Sequence, residues 1–156
     1  MYKFLNVVLA MFISAVAAAQ PGVRVKQFNL NDNHIAISGY DPVAYFTEHL
    51  AKEGNKSIST VYEGVTYYFD SEKDKNLFTA HPDKYEPQYG GWCAYAMGAK
   101  GEKVEVDPET FKIINGKLYL FYNKFFNNTL KSWNKDEANL KMKADSNWSS
   151  IYQSAK

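Results

Sequence analysis

The sequence predicts a small single α+β domain of short β-hairpins, with several short helices and a helical C-terminal tail. Three observations predict it: β-rich runs separated by turn residues, capping residues ahead of short helical segments, and a polar C-terminal stretch with spaced apolar residues. Hairpins and helices are mixed along the chain, which gives the α+β class.

The first residues have the order of a cleavable secretory signal. Lys3 carries a positive charge, residues 4–16 are mostly apolar, and three alanines end at Ala19. A membrane anchor is the alternative, but a spanning helix needs about 20 predominantly apolar residues. We therefore expect residues 1–19 to be removed, and the mature protein to be periplasmic or extracellular with no membrane span.

The remaining chain has the size and charge of one soluble domain without a nucleic-acid partner. Removing residues 1–19 from 156 leaves 137, a length that fits one core. Without Lys3, 17 of the 18 basic residues remain against 17 acidic ones. A chain with no net charge and no long basic cluster is a poor match for nucleic acid or an anionic membrane surface.

The N-terminal part divides into an extended segment and the start of the domain. Residues 20–34 are predicted to be extended, and residues 35–150 to form the domain. Asp41 is a helix-capping residue followed by proline, so a short helix is expected to run from there to about His49.

A hairpin and a capped helix follow. Residues 60–63 and 65–69 are β-rich and are separated at Gly64, a hairpin pattern. Ser71 has an acidic residue three positions later, which predicts a helix over residues 72–80.

The segment after the second helix mixes short elements. Residues 92–97 are predicted as a short helix closed by Gly98. Residues 104–106 alternate as a strand does, and residues 107–110 contain turn residues.

The strongest local signal is the Asn115-Gly116 pair between the β-rich runs 111–114 and 117–122. This pair favours a tight type I′ hairpin turn. Residues 124–151 are polar with spaced apolar side chains, a pattern typical of one or two amphipathic helices.

Four motifs in the same order resemble the YHS-domain family, and in particular its exported, stand-alone branch. They are residues 39–46, the hairpin end at 67–71, the helix through Phe78 to Pro82 with Tyr85, and residues 89–96. The resemblance runs from about Ile35 to Trp148. It implies a small α+β domain and a link to metal handling.

The chain departs from the metal-associated members of that family at three positions. At the positions where the metal-associated modules carry cysteines, this sequence has Ala44, Asp70 and Asp74. Their soft-ligand cluster is therefore absent, and metal binding does not carry over position by position. The cysteine that remains, Cys93, lies outside that pattern.

Cys93 is the single cysteine of a chain that is predicted to be exported. Because it cannot form an internal disulfide, it is a buried inert thiol, a metal ligand, a reactive thiol or a link to another chain. Two glycines and Trp92 precede it and a predicted helix follows, so backbone N–H groups and the helix dipole would stabilise a thiolate there.

Cys93, Met97 and His81 are the candidate metal ligands. Met97 lies four residues after Cys93, so both sulfurs share one helix face, and a thiolate with a thioether suits copper(I). His81 is the histidine that the family topology would bring near Cys93. The alternatives are core packing for Met97 and a helix-end position on the surface for His81.

Three functions follow from these residues. The leading hypothesis is a non-enzymatic exported binding protein that holds a soft metal ion, copper, through Cys93 with Met97 or His81. The second is a thiol-dependent enzyme or redox protein that uses Cys93. The third is a protein-interaction module with an exposed apolar patch. Phosphate loops, serine elbows and metalloprotease helix motifs are absent from the sequence, which disfavours the common enzyme classes.

Overall fold

The computed structural model describes residues 21–155 and confirms the α+β class. Its elements, in chain order, are α1 (Pro21–Gln27), α2 (Ala44–Thr47), β1 (Asn55–Tyr62), β2 (Val65–Phe69), α3 (Glu72–Ala80), α4 (Pro82–Tyr85), α5 (Ala94–Lys100), β3 (Asp107–Ile114), β4 (Lys117–Phe121), β5 (Asn123–Lys124), β6 (Asn127–Asn128), α6 (Thr129–Trp133) and α7 (Glu137–Gln153). Two 3-10 turns lie at Ile37–Gly39 and Gln88–Gly91. The predicted signal segment lies outside the described residues.

Among the described residues, the strands form three separate antiparallel pairs, β1–β2, β3–β4 and β5–β6. At the end of the β3–β4 hairpin, Ile114 pairs with Lys117. Asn115 and Gly116 in the turn have φ values of 50° and 72°. Positive φ at both central residues is what a type I′ turn requires, so the predicted hairpin is confirmed.

Helix α3 begins where its capping residue predicts, whereas the helix expected from Asp41 to about His49 is the shorter α2, Ala44–Thr47. The Ser71 side chain accepts the N–H of Asp74 at 3.1 Å, and α3 has the predicted bounds Glu72–Ala80. Helices α6 and α7 account for the predicted helical tail. Across residues 21–155, no helix is long and apolar enough to cross a membrane.

The expected extended segment over residues 20–34 is wrong for its first part, because Pro21–Gln27 form helix α1. Tertiary contacts explain the difference. Arg24 is buried and forms ion pairs with Glu86 and Glu63, and Val23 joins the buried residues. A short polar sequence with weak helical signals is thereby fixed against the rest of the domain.

Two further local predictions are corrected between α5 and β3. Residues 104–106 are not a strand, and the predicted turn at 107–110 is the start of β3. Asp107 pairs with Phe121, and the register is irregular between there and Phe111. Helix α5 also begins at Ala94 instead of residue 92 and continues past Gly98 to Lys100. The next residue, Gly101, caps it with a φ of 69°, the left-handed conformation that glycine adopts readily.

Strand β4 separates two apolar clusters. Its residues Leu118 and Leu120 belong to the first cluster, with Tyr45, Tyr67, Phe69 and Phe78 among its members. Its residues Tyr119 and Phe121 belong to the second, with Met97, Trp133, Leu140 and Ala144 among its members. Successive strand residues point to opposite faces, so one strand contributes to both clusters.

The contact between α5 and α7 leaves no space for a side chain at Gly98. A Cβ atom there would lie 2.4 Å from the carbonyl oxygen of Leu140. We expect Gly98→Ala to lower the free energy of unfolding by about 1–3 kcal/mol, as overpacking does. Urea denaturation measures the change.

Gly22→Ala in α1 is the matched control, because a Cβ atom there meets nothing within 4 Å. We expect this variant to be as stable as the wild type or more stable by up to about 1 kcal/mol. Equal midpoints for Gly98→Ala and the wild type would contradict the packing of α5 on α7.

Candidate functional site

Cys93 lies at the junction between a tight turn and helix α5. The preceding 3-10 turn is possible because Gly90 and Gly91 adopt φ values of 61° and 85°. Cys93 is the residue before the first turn of α5, and its N–H donates to the carbonyl of Val104 at 2.9 Å. The side chain is fully buried.

The sulfur of Cys93 has two hydrogen-bond partners. The backbone N–H of Tyr122 donates to Sγ at 3.4 Å, and the hydroxyl oxygen of Thr129 lies 3.4 Å from Sγ. The Thr129 hydroxyl itself donates to the carbonyl of Tyr122 at 2.9 Å. With that proton engaged, the thiol S–H is the donor toward Thr129, so the neutral thiol has both a donor and an acceptor partner.

A cavity of about 230 Å³ adjoins Cys93. Its wall is mainly apolar and also includes Lys100 and Glu102, with no histidine among the lining residues. Because Cys93 has no exposed surface, a molecule in the cavity reaches the sulfur only when the neighbouring side chains move.

The structure places two of the three candidate ligands at the N-terminal end of α5, with Cys93 just before the helix and Met97 within it. Met97 is one turn after Cys93, its N–H donates to the Cys93 carbonyl at 3.0 Å, and its side chain is fully buried in the second cluster. His81 is exposed at the end of α3 and lines a different cavity, with Pro82 and Asp83. Within residues 21–155, no group of three or more His, Cys, Asp or Glu side chains is arranged to hold a metal ion.

The positions that correspond to the family's cysteines surround Asp41. One carboxylate oxygen of Asp41 accepts the N–H groups of Val43 at 2.8 Å and Ala44 at 3.4 Å, and the other accepts the N–H of Asp70 at 2.7 Å. The Asp70 carboxylate pairs with Lys52 at 2.6 Å. These acidic groups are therefore engaged in capping and ion pairing, and their donor set does not fit a soft metal ion.

Sequence reasoning missed a second cavity of about 450 Å³, which we call the aromatic pocket. Its residues include four aromatic and three acidic side chains, namely Phe28, Tyr89, Trp148, Tyr152, Asp83, Glu86 and Asp145. No sequence motif signals it, because the fold brings together residues that are distant in the chain; Phe28 and Tyr152, for example, are 124 positions apart.

Residues 43–89 match the family model of the YHS domain, which confirms the resemblance that the sequence motifs carry. The match covers 47 of the 156 residues, and YHS domains are generally associated with metal binding. The matched segment ends at Tyr89, so Cys93 lies just outside it. Searches of curated proteins and of solved structures gave no match.

The buried Asp41 carboxyl makes stability depend on pH. Burial raises its pKa to about 6, and the Asp74 carboxylate adds to the rise, while the three backbone donors oppose it. The folded protein thus binds this proton more tightly than the unfolded chain does. The resulting stabilisation is present below about pH 4 and is lost as the pH rises through about 6.

Between pH 4 and pH 7, we expect the free energy of unfolding of the wild type to fall by up to about 3 kcal/mol more than that of Asp41→Asn. Urea denaturation at several pH values measures both proteins. Asp32→Asn, at an exposed turn residue, should follow the wild type. Parallel pH profiles for the wild type and Asp41→Asn would refute a raised pKa at this carboxyl.

Proposed function

We propose that this protein is an exported binding protein that holds a soft metal ion, copper(I), through Cys93, with Met97 as the second sulfur ligand. The proposal rests on two buried sulfur side chains four residues apart, Cys93 at the start of α5 and Met97 within it, with a cavity next to Cys93. The association of YHS domains with metal binding supports it.

The chemistry of the two side chains favours copper(I) over hard ions. Thiolate and thioether are soft ligands, which select copper(I), zinc and iron–sulfur clusters, whereas carboxylates suit magnesium and calcium. When the thiol proton leaves, the N–H of Tyr122 at 3.4 Å is in place to stabilise the negative charge on the sulfur. His81 lines a separate cavity and is not part of this site.

The surroundings of Cys93 support binding more than catalysis. A nucleophilic thiol needs a base within hydrogen-bond reach, usually a histidine. The partners of this sulfur are a backbone N–H and a threonine hydroxyl, and neither accepts a proton readily near neutral pH. A buried thiol without a base is a poor nucleophile and a suitable anchor for a soft ion.

Export is the part of the proposal that rests on sequence alone. The segment ending at Ala19 has the charge and apolar order of a signal, and residues 1–19 would leave Gln20 as the first residue. A single unpaired cysteine in an oxidising compartment is protected from oxidation when it is buried or metal-bound, which agrees with the position of Cys93.

We expect the anaerobically purified mature protein to bind one copper(I) ion and Cys93→Ser to lose this binding. Met97→Leu, which conserves volume, should weaken affinity by at least about tenfold because one soft ligand is removed. A copper(I) titration against a chromogenic chelator gives the affinities, and elemental analysis gives the stoichiometry.

Met142→Leu is the matched control. Met142 is exposed on α7, so its substitution should leave the copper(I) affinity unchanged. Equal affinity of the wild type and Cys93→Ser would end the metal proposal. Loss of binding in Cys93→Ser without any change in Met97→Leu would remove Met97 from the site.

The intact mass of protein from the envelope or medium should correspond to a chain that begins at Gln20. A chain that keeps Met1 would contradict export with cleavage.

A further inference from the structure

The aromatic pocket has the chemistry of a site for a positively charged organic group. We propose that it binds a small organic cation with an alkylammonium head, independently of Cys93. Its volume of about 450 Å³ lies in the usual range for small-molecule sites, about 300–1,000 Å³.

Three aromatic rings form one part of the wall. The ring centroids of Phe28 and Trp148 are 6.1 Å apart, and those of Trp148 and Tyr152 are 5.8 Å apart. All three side chains are only partly buried, although they lie among packed helices. Aromatic faces attract cations within about 6 Å, and tryptophan does so most strongly, so Trp148 is the central contact.

The carboxylates supply the negative charge. Asp145 accepts the Tyr89 hydroxyl at 2.8 Å with one oxygen and the half-buried Lys141 ammonium at 2.8 Å with the other. Asp83 is exposed and has no ion pair within residues 21–155. A bound cation would be placed between these two acids and the rings.

A cation already lies against one of the same rings. The guanidinium carbon of Arg24 is 4.5 Å from the centroid of the Phe28 ring. Its positive charge does not repel a second cation strongly, because Glu86 and Glu63 both form ion pairs with it. The pocket therefore keeps an excess of negative charge.

Gly90 keeps the rings in place at the pocket wall. A Cβ atom at this position would lie 2.8 Å from the Phe28 ring and 2.9 Å from the Trp148 ring. Any side chain would displace these two rings, so the close approach of the N-terminal segment and α7 at this point requires glycine.

A comparison of choline with its neutral isostere 3,3-dimethyl-1-butanol distinguishes attraction of the positive charge from burial of apolar surface. We expect the wild type to bind choline saturably and at least about tenfold more tightly than the neutral alcohol, in an NMR titration at low salt. Trp148→Leu should weaken choline binding about tenfold, and Trp148→Phe, which retains a ring, less than Trp148→Leu. Asp145→Asn should weaken it about threefold or more, because the amide still accepts the Tyr89 hydroxyl but carries no charge.

Glu105→Gln is the control, since Glu105 lines a different cavity and its loss should leave choline binding unchanged. Thermal unfolding of each variant confirms that it folds; if Trp148→Leu does not, Trp148→Phe and Asp145→Asn decide. Equal binding of choline and the alcohol, choline binding unaltered in Asp145→Asn, or an absence of saturable binding would each overturn the proposal. Cys93→Ser should bind choline as the wild type does, so this result is separate from the copper titration.

Discussion

The burial of strand β4 on both of its faces is the constraint on which the rest of the structure depends. Four of its five residues, Leu118–Phe121, have at most 1 % of their surface exposed, and they alternate between the two apolar clusters. A strand of this kind requires apolar side chains at successive positions, since each face meets a core. It pairs with β3 in an antiparallel hairpin, and an isolated β-bridge joins Leu118 to Pro87. The β1–β2 hairpin and α3 pack in the first cluster, and α5, α6 and α7 in the second.

The end of β4 also determines the surroundings of Cys93. Tyr122 is the first residue after the strand; its N–H donates to the sulfur, and its carbonyl accepts both the N–H of Thr129 at 3.0 Å and the Thr129 hydroxyl. Asn128 caps α6 by accepting the N–H of Leu130 at 3.0 Å, which fixes Thr129 at the start of that helix. The thiol is thus held by elements that the second cluster positions, and the proposed metal site depends on that packing.

Local signals in the sequence predict the local parts of the fold well. Ser71 and the Asn115-Gly116 pair each determine their structure through contacts within a few residues, and both predictions are confirmed. Helix α1 was missed because its stability comes from Arg24, whose ion-pair partner Glu86 is 62 residues away. The start of β3 was read as a turn, since aspartate and proline favour turns unless pairing with β4 outweighs that preference.

The candidate site also combines local features, which the sequence can predict, with contacts between distant residues, which it cannot. The spacing of Cys93 and Met97 is a local property: the Met97 N–H donates to the Cys93 carbonyl, but Cys93 is the residue before α5 and does not lie within the helix. The sulfur's partners Tyr122 and Thr129 are 29 and 36 residues away, so spacing could not identify them. His81 lies elsewhere because Pro82 begins α4 directly after it, and the chain leaves the imidazole on the surface. The aromatic pocket arises from the packing of distant segments and has no local signal at all.

The rate at which Cys93 reacts with iodoacetamide tests most directly the claim that the end of β4 encloses a fully buried thiol. Unfolded protein in urea gives the reference rate for the same cysteine. We expect the folded, metal-free protein to react at least about a hundredfold more slowly, and Leu120→Ala, which weakens the first cluster by about 2–5 kcal/mol, to raise the rate by making opening more frequent. A folded-state rate close to that of the unfolded chain would contradict the enclosure of Cys93 and, with it, the binding site proposed around that sulfur.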